Sequence, residues 1–207
     1  MKKEVIFVLI DEFADWEGAF LASALKSGVT MQPSEGLCKY EVKTLSVSNQ
    51  PVCSIGGFKV IPDYDLKTVP TDFAALILIG GTGWNSEQAK LIAPLVGKAI
   101  ERKAVVGGIC MASVFLGMNG FLNDVKHTSN TLELLKMLSG SNYTNEANYL
   151  DVQAVSDQGV VTANGSGYLE FAKEILILLN VDTLENIEAY YNFNKVGFYE
   201  FMKTQGQ

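Results

Sequence analysis

The stretch that most restricts the fold is Lys103-Ala-Val-Val-Gly-Gly-Ile-Cys110-Met-Ala-Ser-Val-Phe-Leu-Gly117. Ala104 to Val106 is a short apolar run of the kind a buried strand uses, and two glycines follow it. Beyond Cys110 the apolar residues Met111, Val114, Phe115 and Met118 recur at three and four residues, the spacing of a helix face. A thiol therefore sits where a strand turns sharply into a helix. That is the arrangement of a nucleophile elbow, with Cys in place of Ser. Gly108 and Ala112, two residues to either side, keep large side chains out of the turn. N–H groups at the start of the helix are expected to favour a thiolate and lower its pKa. A buried structural cysteine, behaving as a small hydrophobe, fits the same stretch.

The rest of the chain repeats the strand-then-helix theme. Glu4 to Ile10 is apolar on both faces and Phe73 to Ile79 is fully apolar, as central parallel strands are, while Tyr40 to Val47 alternates. Asp15 is placed to cap a helix that runs to Gly28. Ser86 to Arg102 reads as helical but is divided by Pro94, so the main helix should start near Ile92. The helix after Cys110 should end near Asn119-Gly120. Further helices are expected over Thr131 to Leu138, Tyr168 to Leu179, and Leu184 to about Asn194 behind a Thr183 cap, followed by an aromatic tail at Phe198, Tyr199 and Phe201. Gln32 to Lys39 reads as a polar loop. Short hairpins are expected within Gln50 to Asp65, around Gly56-Gly57, and from Leu150 to Thr162, around Asp157-Gln158-Gly159. Strands alternating with helices imply an α/β fold with a largely parallel sheet covered on both faces. At 207 residues, without a repeat or an interdomain linker, a single domain over 1–207 is expected.

Composition narrows the function classes. A formal charge of −7 with no Lys/Arg cluster argues against nucleic acid as a partner. No stretch approaches a membrane span, and the apolar run Val5 to Ile10, ended by Asp11-Glu12, is too short for a signal-peptide core. Three cysteines, Cys38, Cys53 and Cys110, without metal spacing, fit a reducing cytosol, so a cytoplasmic location is expected. With one histidine, no zinc site is expected. The dinucleotide glycine pattern and the Walker loop are both absent, and no cofactor is expected.

In such a sheet the strand C-termini gather along one edge, and ligands bind there. Asp11 to Glu17, Gly80 to Asn85, the Cys110 turn and Asn164 to Gly167 all reach that edge. Glu17 falls in the first turn of its helix. Protonated, it would donate a hydrogen bond to the sulfur, and ionised it would oppose a thiolate. It would equally complement the helix dipole. Backbone N–H groups at Gly80-Gly81 and Met111 could hold an oxyanion, or Gly80-Gly81 could be an ordinary turn. His127 is the only imidazole and a candidate base for the thiol, or a loop histidine with a structural bond. Trp84 and Asn85 line a pocket or anchor the loop. Cys38 and Cys53 lack the elbow context and read as structural or incidental.

Together, Asp15-Trp16-Glu17-Gly18, Ile79-Gly80-Gly81, Gly107-Gly108-Ile109-Cys110, His127-Thr128, and Val161-Thr162-Ala163-Asn164-Gly165 with Phe171-Ala172 resemble the ThiJ/PfpI family over almost the whole chain. That family lies in the class I glutamine-amidotransferase-like superfamily and spans deglycases and intracellular proteases. The resemblance implies a flavodoxin-like three-layer α/β/α sandwich and usually a homodimer. It implies Cys110 as nucleophile or oxidation-sensitive thiol, Glu17 as a protonated carboxyl on the sulfur, and Gly81 and Met111 as oxyanion donors. PfpI-type proteases carry a His directly after the cysteine, where this chain has Met111. Amidotransferases carry a late His-x-Glu pair, and this chain has no histidine after His127. His127 resembles instead the downstream His of the deglycase-like branch. The expected partner is a small reactive carbonyl, or its adduct, attacked by Cys110. An oxidative-stress sensor or chaperone-like protein acting without turnover, and a small-molecule binding module, are the competing expectations.

Overall fold

Alternate residues of the first strand feed two separate cores. In the computed structural model, which describes residues 3–30 and 39–204, β1 (Lys3–Val8) sends Val5 and Phe7 into one core and Ile6 and Val8 into the other. Both sets are buried, which is why this stretch is apolar on both faces. The first core is closed by α1 (Asp15–Ser27) and α5 (Tyr168–Leu178), through Leu21, Ala24, Phe171 and Ile175. The second is closed by α2 (Ala93–Glu101), α3 (Met111–Met118) and α4 (Leu132–Ser139), through Val96, Phe115, Leu116 and Leu135. Each buried Leu, Ile or Phe contributes about 1.5–3 kcal/mol.

Between these layers lies a six-stranded sheet. Its other strands are β2 (Tyr40–Leu45), β5 (Ala75–Leu78), β6 (Val105–Ile109), β7 (Ala154–Asp157) and β8 (Val160–Ala163), in the order β2-β1-β5-β6-β8-β7. All neighbours are parallel except β7 with β8. The result is a flavodoxin-like three-layer sandwich with the Cys110 strand near its middle. The β7–β8 hairpin turns at Gln158-Gly159, both with positive φ, as a two-residue turn requires. A separate small hairpin pairs β3 (Val52–Cys53) with β4 (Lys59–Val60).

Several boundaries differ from the sequence expectation. Asp15 is not the helix cap. Ala14 holds that position, and the Asp15 carboxylate accepts the Gly56 N–H at 2.8 Å, tying the small hairpin to α1. The first strand ends at Val8, because the chain leaves the ladder to reach the Glu12–Phe13 turn. Ser86 to Arg102 divides at Pro94 as expected: a 3-10 turn at Ala89–Ile92 precedes α2, with Pro94 in the first helical turn, where its missing N–H has no helical partner. Leu150 to Gln153 is not part of the sheet strand, and β7 begins only at Ala154. Thr183 caps α6 (Leu184–Val196) by accepting the Asn186 N–H. The aromatic tail is itself helical, as α7 (Phe198–Thr204), with Phe198 and Phe201 edge-on against Phe193. The expected Gln32–Lys39 loop lies, up to and including Cys38, outside the described residues. Among the described residues no helix is long and apolar enough to cross a membrane.

Candidate active site

Cys110 stands between β6 and α3 with φ 56° and ψ −126°, a left-handed conformation that L-residues avoid. The surroundings impose it. Its N–H donates to the Ala163 carbonyl of the neighbouring strand end at 3.0 Å, and its own carbonyl accepts the Ser113 N–H and hydroxyl. The side chain is thereby lifted off the sheet edge, half-buried.

Glu17 approaches from the first turn of α1. Its side chain is 1% exposed, and neither carboxylate oxygen has a hydrogen bond of good geometry among the described residues. Backbone glycines make this approach possible. A Cβ on Gly80 would lie 2.6 Å from the Cys110 Cβ and would collide with Glu17. Burial pushes the Glu17 pKa up from 4.5 to about 7, and the nearby thiol and Gly80 N–H offset this only in part. The Cys110 thiol is pushed up as well, by burial first and then by the Glu17 charge. The Asn130 amide and the Met111 N–H pull the other way and lose. This corrects the expectation that the start of α3 would lower the thiol pKa: one helix N–H faces the sulfur, while apolar walls and a carboxylate face it too. Thiol and carboxyl therefore titrate as a pair.

The remaining candidates separate into those beside the sulfur and those elsewhere. Met111 presents its N–H to the sulfur. Gly80 and Gly81 form the floor, bridged to Phe13 and Ala14 by the Ala14 N–H on the Gly80 carbonyl. Trp84 is 2% exposed. It donates Nε1–H to the Ile79 carbonyl at 2.6 Å and packs on Phe115, so it anchors the loop inside the core. Asn85 is exposed at the end of the 3-10 turn Thr82–Asn85. Asn164 shapes a turn: Oδ1 accepts the Ser166 N–H and hydroxyl, and Nδ2 bonds Gln153. That turn presents Gly165 to the site.

His127 is fully buried, and both ring nitrogens are engaged away from the thiol. Nδ1 lies 2.8 Å from the Val125 carbonyl, which can only accept, so Nδ1 carries the proton; Nε2 then accepts from the Tyr143 hydroxyl at 2.7 Å. Burial lowers its pKa and keeps it neutral. The residue of this segment that meets the sulfur is Asn130, whose Nδ2 lies 3.4 Å from Sγ. Nothing in the periodicity singles out Asn130. The one available signal is its place just before Thr131, the cap of α4, at the sheet edge. Asn130 and Asn164 also line a polar cleft of about 280 Å³ with Ser129, Tyr149 and Asp151. A larger apolar cavity of about 410 Å³ lies away from the thiol, between α6 and α7. Among the described residues no three His, Cys, Asp or Glu side chains converge to hold a metal ion.

Residues 3–178 match the sequence profile of the DJ-1/PfpI family. The chain is 37% identical over 204 residues to a Bacillus subtilis protein named the uncharacterized protease YdeA, covering 99% of this chain and 97% of that one. It superposes on the crystal structure of a thiJ/pfpI family protein from Bacillus anthracis with a TM-score of 0.88 and 34% identity, over 98% of this chain and 94% of the other. A more distant relative is the glutathione-independent glyoxalase DJR-1.2 of Caenorhabditis elegans, 29% identical over 144 residues, which are 68% of this chain and 72% of that one.

Proposed function

The chain belongs to the DJ-1/PfpI family, and on that premise we propose that it is a cofactor-independent thiol enzyme acting on small reactive carbonyls, α-oxoaldehydes first among them. One observation carries the proposal: a half-exposed thiol in a strained turn faces a buried carboxyl whose pKa is near neutrality. Such a carboxyl is suited both to taking and to giving a proton at working pH.

In this proposal Glu17 takes the thiol proton as Cys110 Sγ attacks the aldehyde carbon. The C=O π pair moves to oxygen beside the Met111 N–H and the Gly81 backbone, and Glu17 returns the proton there, giving a hemithioacetal. Glu17 then removes the C1 proton and passes it to O2, giving an enediol, and next takes the C1 hydroxyl proton and delivers it to C2, leaving a 2-hydroxy thioester. Water hydrolyses the thioester to a 2-hydroxy acid and frees the thiol. The sum is α-oxoaldehyde plus water to 2-hydroxy acid, with C1 oxidised as C2 is reduced, so no external oxidant or reductant is needed. The likeness to a glutathione-independent glyoxalase supports this chemistry. Peptide hydrolysis, despite the names of near relatives, needs a base that also protonates a leaving amine, and Met111 stands where proteases of this type carry their histidine. The test is methylglyoxal turnover followed as lactate. Formation no faster than with Cys110→Ser overturns the proposal.

The half-exposed sulfur beside a carboxyl also favours a second function, oxidation sensing. Mild peroxide should then oxidise Cys110 selectively, and equal oxidation of Cys53 removes this alternative. Membership of the family further makes a cytoplasmic homodimer the expected state, which fractionation and sedimentation would check.

A further inference from the structure

The Cys110 sulfur has a side-chain donor that its sequence neighbourhood does not announce. The orientation of the Asn130 amide is fixed by its other end. The Gly165 N–H, which can only donate, lies 3.0 Å from that end, so that end is Oδ1 and the atom facing Sγ is Nδ2. The segment that delivers Asn130 is pinned at each preceding residue. His127 bonds through both ring nitrogens and exchanges backbone bonds with Asn148 and Leu150. The Thr128 N–H donates to Thr162 Oγ1 at 2.8 Å, and Ser129 Oγ pairs with Ser113 Oγ at 2.8 Å on α3 itself. Thr162 belongs to β8, beside the Cys110 strand. The backbone that carries Asn130 is thus held by the sheet edge, and its amide by the Gly165 N–H.

A sulfur that accepts from Asn130 and lies beside the Met111 N–H has two acceptor faces occupied. The polar group left to receive its own proton is the Glu17 carboxyl. We propose that Asn130 is a positioning residue: held by Gly165, it donates to Sγ, steers the S–H toward Glu17, and keeps a hydrogen bond on the sulfur as the proton leaves. In that step the S–H bond breaks, its electron pair stays on sulfur, and the proton bonds to a Glu17 oxygen. The negative charge thus moves from carboxylate to thiolate, where the Asn130 amide meets it. Asn130 fills the place beside the thiol for which a histidine was expected, while His127 anchors the segment that carries it. The inference rests on the thiol being the reactive group, as proposed above, and on no particular substrate.

The test is the pH dependence of Cys110 alkylation by iodoacetamide, read by mass spectrometry, in wild type, Asn130→Asp and Asn130→Ala, with urea unfolding of each. Asn130→Asp keeps an oxygen for the Gly165 N–H but puts a carboxylate oxygen where the sulfur had a donor. It should raise the apparent thiol pKa by about one unit or more and slow alkylation at pH 7 about tenfold. Asn130→Ala should shift the profile in the same direction by less. A purely structural role predicts otherwise: an Asn130→Ala profile superimposable on wild type, with only the unfolding midpoint changed, overturns the proposal, because the aspartate variant would raise the thiol pKa by its charge alone. If Asn130→Ala does not fold, Asn130→Ser, neutral and shorter, decides by the same comparison. Alkylation needs no substrate, so failure to turn over methylglyoxal would remove the proposed reaction and leave this inference standing.

Discussion

Glu17 Oε1 and Cys110 Sγ flank the same missing side chain: a Cβ on Gly165 would lie 3.2 Å from the first and 3.1 Å from the second. Thiol and carboxyl meet over bare backbone supplied by a third segment. Gly165→Ala therefore has little effect on folding, since both neighbours need to give by only a few tenths of an ångström, but it pushes thiol and carboxyl apart. The expected result is about a tenfold loss of Cys110 alkylation at pH 7 with a stability change of about 1 kcal/mol or less. Gly80→Ala, which collides with the Cys110 Cβ and the Ile109 carbonyl, should instead lower stability by about 2–3 kcal/mol in urea unfolding.

The buried carboxyl makes stability depend on pH in a defined direction. Glu17 has a folded-state pKa of about 7, raised from 4.5, so the folded chain holds the proton more tightly than the unfolded one. Its favourable contribution is complete below about pH 4.5 and is lost as pH rises through about 7. Glu17→Gln cannot ionise and does not lose it. The variant should match wild type near pH 4.5 and exceed it at pH 8 by a few kcal/mol, at about 1.4 kcal/mol per pKa unit. Turnover should fall at least a hundredfold. Urea midpoints at the two pH values check the first point, and a wild type more stable at pH 8 than the variant contradicts it.

Strain at the elbow predicts a trade between stability and chemistry. At φ 56° and ψ −126°, Cys110 occupies a conformation that glycine adopts freely. Cys110→Gly should unfold at higher denaturant than Cys110→Ala, by about 1 kcal/mol, although both lack the thiol. The opposite order would mean that the turn is not strained.

His127 should behave as a buried structural histidine. His127→Ala removes one partner each from the Tyr143 hydroxyl and the Val125 carbonyl, both of which also meet Asn145, and empties a buried site; it should cost about 2–4 kcal/mol in urea unfolding. His127→Gln, which can restore one of those bonds, should cost less and leave the pH midpoint of Cys110 alkylation within about half a unit of wild type. A shift of more than one unit would give the imidazole a part in the thiol's titration.

Much of this architecture is legible in the sequence because it is periodic. The doubly apolar stretches at Val5 and Ala75, the glycine break before Cys110 and the helical spacing after it mark the central strands and the elbow. Glu17 is legible as well, since the first turn of the helix after β1 must lie at the sheet edge. Asp15 misleads because a residue type suited to capping was needed for a longer-range bond, to Gly56. Trp84 leaves its meaning open for a different reason: a loop residue can point inward, and the Ile79 carbonyl and Phe115 draw it there. The sulfur's donor is hidden because it depends on which of four consecutive polar residues, His127 to Asn130, faces the thiol. That is set by tertiary anchors on Tyr143, Thr162 and Ser113, which no local pattern encodes.

Proton sharing between Cys110 and Glu17 is measured most directly by the iodoacetamide alkylation rate of Cys110 across about pH 5–10 in wild type and Glu17→Gln. A coupled pair predicts a wild-type profile with two steps and a Glu17→Gln profile with a single step at lower pH, because removing the carboxylate charge lets the thiolate form more easily. Superimposable single-step profiles would contradict it.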